Sequence, residues 1–373
     1  MDSPPQQHAW FLPRPGLQDL FDALRAAGYR LSGPQIKEGV IVFDEISNCA
    51  QLPQGVRDAQ APGEYRLRQN DSPRQFAWAN GPQALKPLLF APREVLWRAQ
   101  QDGHGKLQFH PLKPDPRPLA VVGARACDIA AMQVQDRVFL CGPHPDPYYA
   151  ARRNNLFVVA VHCSHPATTC FCASTGDGPQ AVQGFDIALA ELDQGFVVET
   201  GTEAGAAMVA GLHLKAATAA QTGAAQAESE RAAAVQTRRL PEGALRDRLF
   251  AALDHPRWDE VAARCLSCGN CTMVCPTCFC HSQSEQPALD GAHSEHTREW
   301  DSCFTQGHSY IHGLTLRPDT RSRYRQWLTH KLASWWDQFD SSGCVGCGRC
   351  ITWCPAGIDI TAEARAVAGE DDG

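Results

Sequence analysis

The sequence has no apolar run long enough to cross a bilayer, since Leu156–Val161 is the longest one. It also has no excess of basic residues: 34 Lys and Arg stand against 41 Asp and Glu, giving a net charge of −7. This balance provides no broad basic surface for nucleic acid. Residues 1–14 lack the basic and apolar regions of a secretory signal. We therefore expect a cytoplasmic protein that neither inserts into a membrane nor binds nucleic acid.

Nucleotide-binding motifs are missing as well. No G-x-G-x-x-G sequence follows a predicted strand and opens a helix, and no G-x4-G-K-[ST] loop occurs. No cysteine pairs near both ends of the chain indicate a nickel site. We therefore expect that this chain alone binds neither NAD(P) nor FAD, and we assign it no catalytic residue.

Cysteine, in contrast, is abundant, with 17 among 373 residues. An odd number of cysteines, in a large chain without a secretory signal, does not fit a disulfide framework. Ten of the cysteines lie in two short segments, 265–280 and 344–354. Reduced thiols that serve as metal ligands are the better interpretation.

Upstream of these segments, short apolar strands alternate with helices. Leu119–Val122 and Leu156–Val161 have the composition of buried strands, and Asp128–Val138 follows the first of them as a helix. Residues 185–192 predict a further short helix, and 196–199 predict a third strand. This alternation predicts an α/β domain whose sheet contains parallel pairs.

The second half of the chain changes character twice. Residues 204–235 are rich in alanine and predict one or two surface helices with breaks at Gly211 and Gly223; a low-complexity linker is the alternative. After residue 255, cysteine, glycine and proline become closely spaced. We therefore predict two domains, an α/β domain over 1–255 and an iron–sulfur domain over 256–373.

The assignment of iron and sulfur rests on two runs with one spacing. Both match the C-x2-C-x2-C-x3-C-P pattern of bacterial two-cluster ferredoxins. The short gaps let three thiolates of one loop reach a single 4Fe–4S cluster, and the glycine after the second cysteine lets the backbone pass close by. Zinc ribbons use two C-x2-C pairs, not two complete four-cysteine runs, and c-type haem needs a histidine after C-x2-C. The runs are Cys265-Leu-Ser-Cys268-Gly-Asn-Cys271-Thr-Met-Val-Cys275-Pro276 (run 1) and Cys344-Val-Gly-Cys347-Gly-Arg-Cys350-Ile-Thr-Trp-Cys354-Pro355 (run 2).

In two-cluster ferredoxins the fourth cysteine of each run binds the other run's cluster. The 68 residues between Cys275 and Cys344 exceed the ferredoxin spacing. We therefore predict a ferredoxin-like domain with a long insertion that leaves and returns at one point. The crossed rule predicts two ligand sets: set 1 is Cys265, Cys268, Cys271 and Cys354, and set 2 is Cys275, Cys344, Cys347 and Cys350.

The insertion holds three further cysteines, Cys278, Cys280 and Cys303. Three interpretations stay open: replacement cluster ligands, redox-active thiols, or small buried hydrophobic residues beside the clusters. His330 and Lys331 precede run 2, where they either lie in solvent or, close to a cluster, raise its potential.

Four other cysteines form a looser group, here called set 3. Cys127 follows the first strand, and Cys163 follows the second strand and begins a loop that contains Cys170 and Cys172. Because the carboxyl ends of parallel strands meet at one edge of a sheet, the two loops can supply four thiolates to one site. Isolated structural cysteines are the alternative.

Together these segments resemble the iron–sulfur beta subunit of cytoplasmic multi-subunit nickel–iron hydrogenases of the sulfhydrogenase type. The A subunit of anaerobic sulfite reductase looks like a close relative. Besides both runs, the matching stretches are 123–128 (GARACD), 146–152 (DPYYAAR), 163–178 (CSHPATTCFCASTGDG), 184–189 (GFDIAL), 275–280 (CPTCFC) and 300–303 (WDSC).

The resemblance implies an electron-transfer subunit with 4Fe–4S clusters at sets 1 and 2 and a third cluster at set 3. Its partners would be a flavin- and NAD(P)-binding reductase subunit and the small and large subunits of a hydrogenase. The alternative is a relay in an anaerobic sulfite reductase or a sulfur reductase. Two other classes rank lower: a catalytic subunit with a redox-active thiol at Cys278, Cys280 or Cys303, and a structural iron–sulfur scaffold.

Overall fold

The computed structural model describes residues 9–102, 104–115 and 117–370. Its strands are β1 (Trp10–Pro13), β2 (Arg30–Lys37), β3 (Val40–Glu45), β4 (Val56–Ala61), β5 (Glu64–Gln69), β6 (Arg93–Gln101), β7 (Leu107–Pro111), β8 (Leu119–Ala124), β9 (Leu156–Val161), β10 (Ile187–Leu192), β11 (Gly195–Thr200), β12 (Lys215–Ala216), β13 (His281–Pro287), β14 (His293–Trp300), β15 (Tyr310–Ile311) and β16 (Leu314–Thr315).

Its α-helices are α1 (Leu17–Ala26), α2 (Lys86–Leu89), α3 (Ala126–Phe139), α4 (Pro147–Arg153), α5 (Cys172–Thr175), α6 (Glu203–Gly211), α7 (Ala219–Ala234), α8 (Leu245–Ala251), α9 (Arg257–Arg264), α10 (Asn270–Met273), α11 (Thr320–Thr329), α12 (Trp335–Phe339), α13 (Arg349–Thr352) and α14 (Ile360–Val367). Short 3₁₀ turns occur at Arg14–Gly16, Cys49–Gln51 and Gln306–Ser309, and His330–Ser334 is π-helical.

The N-terminal part is a mixed α/β structure built on an eight-stranded sheet of order β12-β1-β11-β10-β9-β8-β2-β3. Strands β2, β8, β9 and β10 are parallel to their neighbours in that series, and the outer strands pair antiparallel. The predicted strands at 119–122, 156–161 and 196–199 and the predicted helix at 128–138 are confirmed as β8, β9, β11 and α3.

Helices cover both faces of this sheet. The apolar side of α1, with Leu17, Phe21 and Leu24, packs with α6 on one face. Helix α3 packs on the other face through Ile129 and Met132. Central strands buried on both faces are typical of parallel sheets, and the sequence of β9 is accordingly apolar throughout.

Residues 185–192 do not form the predicted helix: that prediction was wrong, and most of the segment is strand β10. All six residues of β10 are buried. The buried Glu191 carboxylate also has its hydrogen-bond partners there. It accepts hydrogen bonds from the backbone N–H groups of Gln75 and Phe76 at 2.7 and 2.8 Å and forms an ion pair with Arg14. Tertiary contacts therefore override the helical preference of the sequence.

The alanine-rich segment forms two helices, as predicted. Helix α6 ends at Gly211, but α7 runs through Gly223 without a break. The cap of α7 explains its start, since Thr218 and Gln221 form a capping box.

The insertion between the two runs joins a second sheet of order β13-β14-β6-β7. Its hairpin, β13 and β14, extends an antiparallel pair contributed by the N-terminal part. Both ends of the insertion meet, because the Thr277 hydroxyl donates to the Gly343 carbonyl at 2.8 Å. A separate apolar core around Trp258, Trp327 and Leu328 then packs the helices that flank the two runs.

Candidate metal centres

The thiols of set 1 surround a small apolar cavity. Cys354 of run 2 lies within electrostatic reach of Cys265 and Cys271 of run 1. Burial raises the pKa of the Cys265 and Cys271 thiols, so both remain neutral unless a metal binds them. The cavity has an empty volume of about 420 Å³ and is also lined by Phe304, Tyr324, Trp327, Ala356 and Ile358. Thiols in an apolar wall fit a 4Fe–4S cluster, whose ligands are cysteine thiolates.

The thiols of set 2 meet in the same way. Cys275, from the end of run 1, lies within electrostatic reach of Cys344, Cys347 and Cys350. Burial raises the pKa of Cys344 to about 12 and that of Cys350 well above its ordinary value. Cys350 also lies near Cys271, which brings the two sets side by side.

The short helices α10 and α13 contact each other between the two sets. Each is preceded by a glycine with a left-handed backbone, Gly269 at φ 73° and Gly348 at φ 73°. Sequence reasoning assigned these glycines to close passage of the backbone past a cluster. A Cβ at either position would also meet protein atoms, the Ser302 hydroxyl at 2.9 Å and the Thr169 carbonyl at 2.4 Å. Glycine is therefore needed for the turn and for packing against other segments.

Lys331 is one of two buried lysines beside set 2, at 5% exposure. Its Nζ donates to Cys275 Sγ at 3.1 Å and to Thr277 Oγ1 at 2.9 Å. Burial opposes its charge, but the Cys275 and Cys278 thiols hold its pKa well above the usual range. It lies in the π-helical segment, a conformation often found at functional sites. The ammonium therefore contacts a thiol of set 2, and the solvent-exposed alternative is wrong for Lys331.

We expect Lys331→Met to lower the reduction potential of the cluster at set 2 by about 60–130 mV. The variant removes a charge-assisted hydrogen bond of about 1.5–3 kcal/mol, converted at about 59 mV for each tenfold change in a one-electron equilibrium. Potentiometric titration followed by EPR measures the shift. His330→Gln is the matched control, because burial lowers the pKa of His330 to about 4 and the ring is neutral. Equal potentials in Lys331→Met and the parent protein would contradict this role.

Set 3 lies at the carboxyl edge of the parallel sheet. Cys127 is in the first turn of α3, directly after β8, and Cys163 follows β9, the parallel neighbour of β8. Cys172 lies within electrostatic reach of Cys163, and its charge raises the pKa of the Cys127 and Cys170 thiols. All four thiols have a raised pKa, in each case chiefly because of burial.

Two amide side chains from elsewhere in the chain donate to set 3. Asn80 Nδ2 lies 3.3 Å from Cys127 Sγ, and Gln236 Nε2 lies 3.5 Å from Cys172 Sγ. Hydrogen bonds to ligand sulfur stabilise the reduced form of a cluster. Neither residue belongs to a cysteine motif, so sequence reasoning missed both.

The loop that carries set 3 packs directly on run 2. The Phe171 N–H donates to the Gly346 carbonyl at 2.8 Å, and Gly346 has a left-handed backbone at φ 62°. A Cβ at Gly346 would lie 2.6 Å from the backbone of Cys172, so only glycine fits. Cys347 of run 2 is within electrostatic reach of Cys127, Cys170 and Cys172. Sets 2 and 3 are therefore neighbours.

A buried ion pair crosses the same contact. Arg349 Nη2 lies 2.7 Å from Asp128 Oδ1, and these side chains are 1% and 0% exposed. Arg349 Nε also donates to the Gly81 carbonyl at 3.0 Å. The equivalent position in run 1 is Asn270, which donates to the Trp353 carbonyl. Run 2 therefore has an arginine where run 1 has an asparagine. This difference between two otherwise similar runs is the feature of the sequence that could have indicated a buried charge.

The cysteines of the insertion line a second cavity. Cys278, Cys280 and Cys303 face it together with His308 and Lys331. A hydrogen bond from the Cys278 thiol, and then the charge of Lys331, hold the pKa of Cys275 well below its ordinary value. Over the described ranges of the chain, no three His, Cys, Asp or Glu side chains come close enough to bind a single metal ion.

Comparisons with known proteins agree with this geometry. Residues 264–358 match the family model of a 4Fe-4S dicluster domain. The chain is also similar to the Sulfhydrogenase 2 subunit beta of Pyrococcus furiosus, with 33% identity over 284 residues, which cover 74% of this chain and 79% of that protein. No solved structure matches.

Within the described residues, no helix is both long and apolar enough to span a membrane. The dicluster domain occupies the C-terminal part of the chain and follows the mixed α/β part. Both runs fall inside the matched range, and the chain carries 4Fe–4S clusters. It belongs to the sulfhydrogenase beta subunits, the iron–sulfur electron-transfer subunits of hydrogenase complexes.

Proposed function

We propose that the chain relays electrons through three 4Fe–4S clusters between a flavin- and NAD(P)-binding reductase subunit and the catalytic module of a hydrogenase. In this proposal set 1 and set 2 bind one cluster each by crossed ligation, and set 3 binds the third. The C-terminal domain, 256–373, is then a ferredoxin-like domain with a long insertion, and 1–255 is the α/β domain that supplies set 3.

The observation that carries the proposal is the continuity of the three sets. Cys350 of set 2 lies within reach of Cys271 of set 1, and Cys347 of set 2 lies within reach of the thiols of set 3. Clusters held side by side exchange electrons, and a row of three connects two separate surfaces. An isolated structural cluster would need no such neighbours.

One end of the row opens to solvent. Cys268 of set 1 is exposed, and Leu266 beside it is 66% exposed. An apolar side chain next to an exposed cluster ligand favours a partner subunit docking there. The name of the Pyrococcus relative favours a hydrogenase complex over a sulfite reductase as the assembly that this partner belongs to.

We expect NADPH alone to leave the visible iron–sulfur absorbance of the purified chain unchanged, because no nucleotide-binding motif occurs in the sequence. Adding an NADPH-dependent flavoprotein should then bleach the absorbance. Anaerobic titration with NADPH, before and after the flavoprotein, measures both states.

Dithionite is the control for clusters that are intact and reducible. If dithionite bleaches the clusters but NADPH and the flavoprotein together do not, the result contradicts a relay from a flavin subunit. Bleaching by NADPH without a flavoprotein would show that the chain itself accepts hydride, which the proposal excludes.

A further inference from the structure

The cavity inside the insertion is distinct from the three thiol sets. It lies between the start of the insertion and the helices that lead to run 2. Its lining includes three thiols and three basic side chains, namely Cys278, Cys280, Cys303, His308, Arg317 and Lys331. Cys280 and Cys303 are partly exposed.

Cys280 belongs to a Cys–His–Asp arrangement. His308 Nδ1 lies 2.7 Å from Asp301 Oδ2, and His308 lines the same cavity as Cys280. The Cys280 contact, and then Asp301, raise the pKa of His308 to about 9, so the ring is protonated at neutral pH. An imidazolium held by a carboxylate is the partner that stabilises a nucleophilic thiolate.

Cys303 supplies a second thiol. The Asp301 N–H donates to the Cys280 carbonyl at 2.9 Å. Cys303 comes two residues after Asp301, so this backbone contact brings Cys303 near Cys280. Burial, and then the charge of Cys280, raise the pKa of Cys303 to about 12. A second thiol beside the attacking one is what resolves a mixed disulfide.

The cavity is also cationic and lies next to set 2. Arg317 lines it, and Arg317 Nε is buried without a hydrogen-bond partner among the described residues. On the other side, interaction with Cys275 of set 2 raises the pKa of Cys278 well above its ordinary value, which places the two thiols side by side. An anion in the cavity would therefore meet the Arg317 guanidinium. The Cys278 thiol of the same cavity separates this anion from Cys275, a thiol of set 2.

We propose that Cys280 and Cys303 form a redox-active dithiol that reduces an anionic disulfide substrate; this rests on the proposed relay as the source of electrons. The Cys280 thiolate attacks one substrate sulfur and releases the first thiolate. Cys303 then loses its proton and attacks Cys280 Sγ, which releases the second thiolate and leaves a Cys280–Cys303 disulfide. Two electrons from the reduced clusters and two protons restore the dithiol, so each substrate disulfide yields two thiols.

The test uses the intact holoprotein with Cys49→Ser and Cys141→Ser as background, because both of these cysteines lie outside the three sets and the cavity. The probe is dithiobis(nitrobenzoate), an aromatic disulfide with two carboxylates, added anaerobically. We expect rapid release of about two thionitrobenzoates per chain and no loss of iron. Cys280→Ser should abolish the rapid phase.

Cys303→Ser gives the most specific result. Without the resolving thiol, only about one thionitrobenzoate should leave, and a stable adduct should remain on Cys280, identified by mass spectrometry of the peptide. His308→Gln should slow the first step about tenfold or more, whereas His312→Gln, an exposed histidine nearby, should leave it unchanged. Equal rates in Cys280→Ser and the background protein would overturn the proposal.

Iron analysis distinguishes this proposal from the alternative that these thiols are cluster ligands. If Cys280→Ser or Cys303→Ser loses about four iron atoms per chain, the cysteines are ligands of a further cluster and the proposal is wrong. Reduced protein mixed with the probe should reoxidise its clusters, and Cys280→Ser should not. Rapid release of thionitrobenzoate without reoxidation of the clusters would refute the electron supply, whereas clusters that no reductant can reduce would refute the relay itself.

Discussion

Cys354→Ser and Cys268→Ser are expected to remove the same cluster, although Cys354 belongs to run 2 and Cys268 to run 1. Cys354 lies within electrostatic reach of Cys265 and Cys271, and it lines their cavity. Each variant should lose about four of roughly twelve iron atoms per chain, because one missing thiolate leaves a cubane iron open to solvent and oxidation.

EPR of the dithionite-reduced proteins measures which cluster is lost. Cys354→Ser and Cys268→Ser should lack one signal, and Cys275→Ser and Cys347→Ser should lack another. Cys141→Ser, at an exposed position, is the control that keeps every signal. If Cys354→Ser instead shares its spectrum with Cys347→Ser, each run binds its own cluster and the crossed assignment is wrong.

The strands next to the candidate centres could be predicted because their signal is local. Strands β8 and β9 are short apolar runs, each followed by a cysteine-bearing segment, and their residues are buried on both faces. The segment that became β10 misled the prediction because alanine, leucine and glutamate, which make up most of it, have high helix propensity. Its position is decided by Gln75, Phe76 and Arg14, which lie far away in the sequence.

The cysteine motifs predict which thiols bind clusters, but not what surrounds them. The position of Lys331 before run 2 leaves both solvent and a place beside a cluster open, and only the fold shows that its ammonium contacts Cys275. Asn80 and Gln236 reach set 3 from segments 47 and 64 residues away from their cysteine partners. Such contacts depend on how the chain folds back, which spacing within a motif does not describe.

The ion pair between Asp128 and Arg349 shows how the two parts of the chain are joined. Asp128 follows Cys127 of set 3, and Arg349 precedes Cys350 of set 2. Both charges are buried and compensate each other, so the pair fixes the position of α3 relative to run 2. The same contact brings sets 2 and 3 together, which the relay requires.

The third cluster is the second test with a large expected effect. The parent protein should contain about 12 iron atoms per chain, and Cys170→Ser should keep about eight of them. The physical reason is that the Cys170 thiol is desolvated and lies within reach of Cys163 and Cys172, so no other donor can replace it. Anaerobic iron and sulfide analysis gives both numbers.

A full-length variant is a better test than a chain that ends near residue 255. Phe171, in the loop of set 3, packs in the same apolar core as Trp258 and Val261, so truncation would expose that loop. Gln236→Ala is the matched variant: it removes a hydrogen bond to Cys172 but no ligand, and should shift the potential of one cluster while all the iron remains. About eight iron atoms in the parent protein, unchanged in Cys170→Ser, would make set 3 a group of structural cysteines and reduce the relay to two clusters.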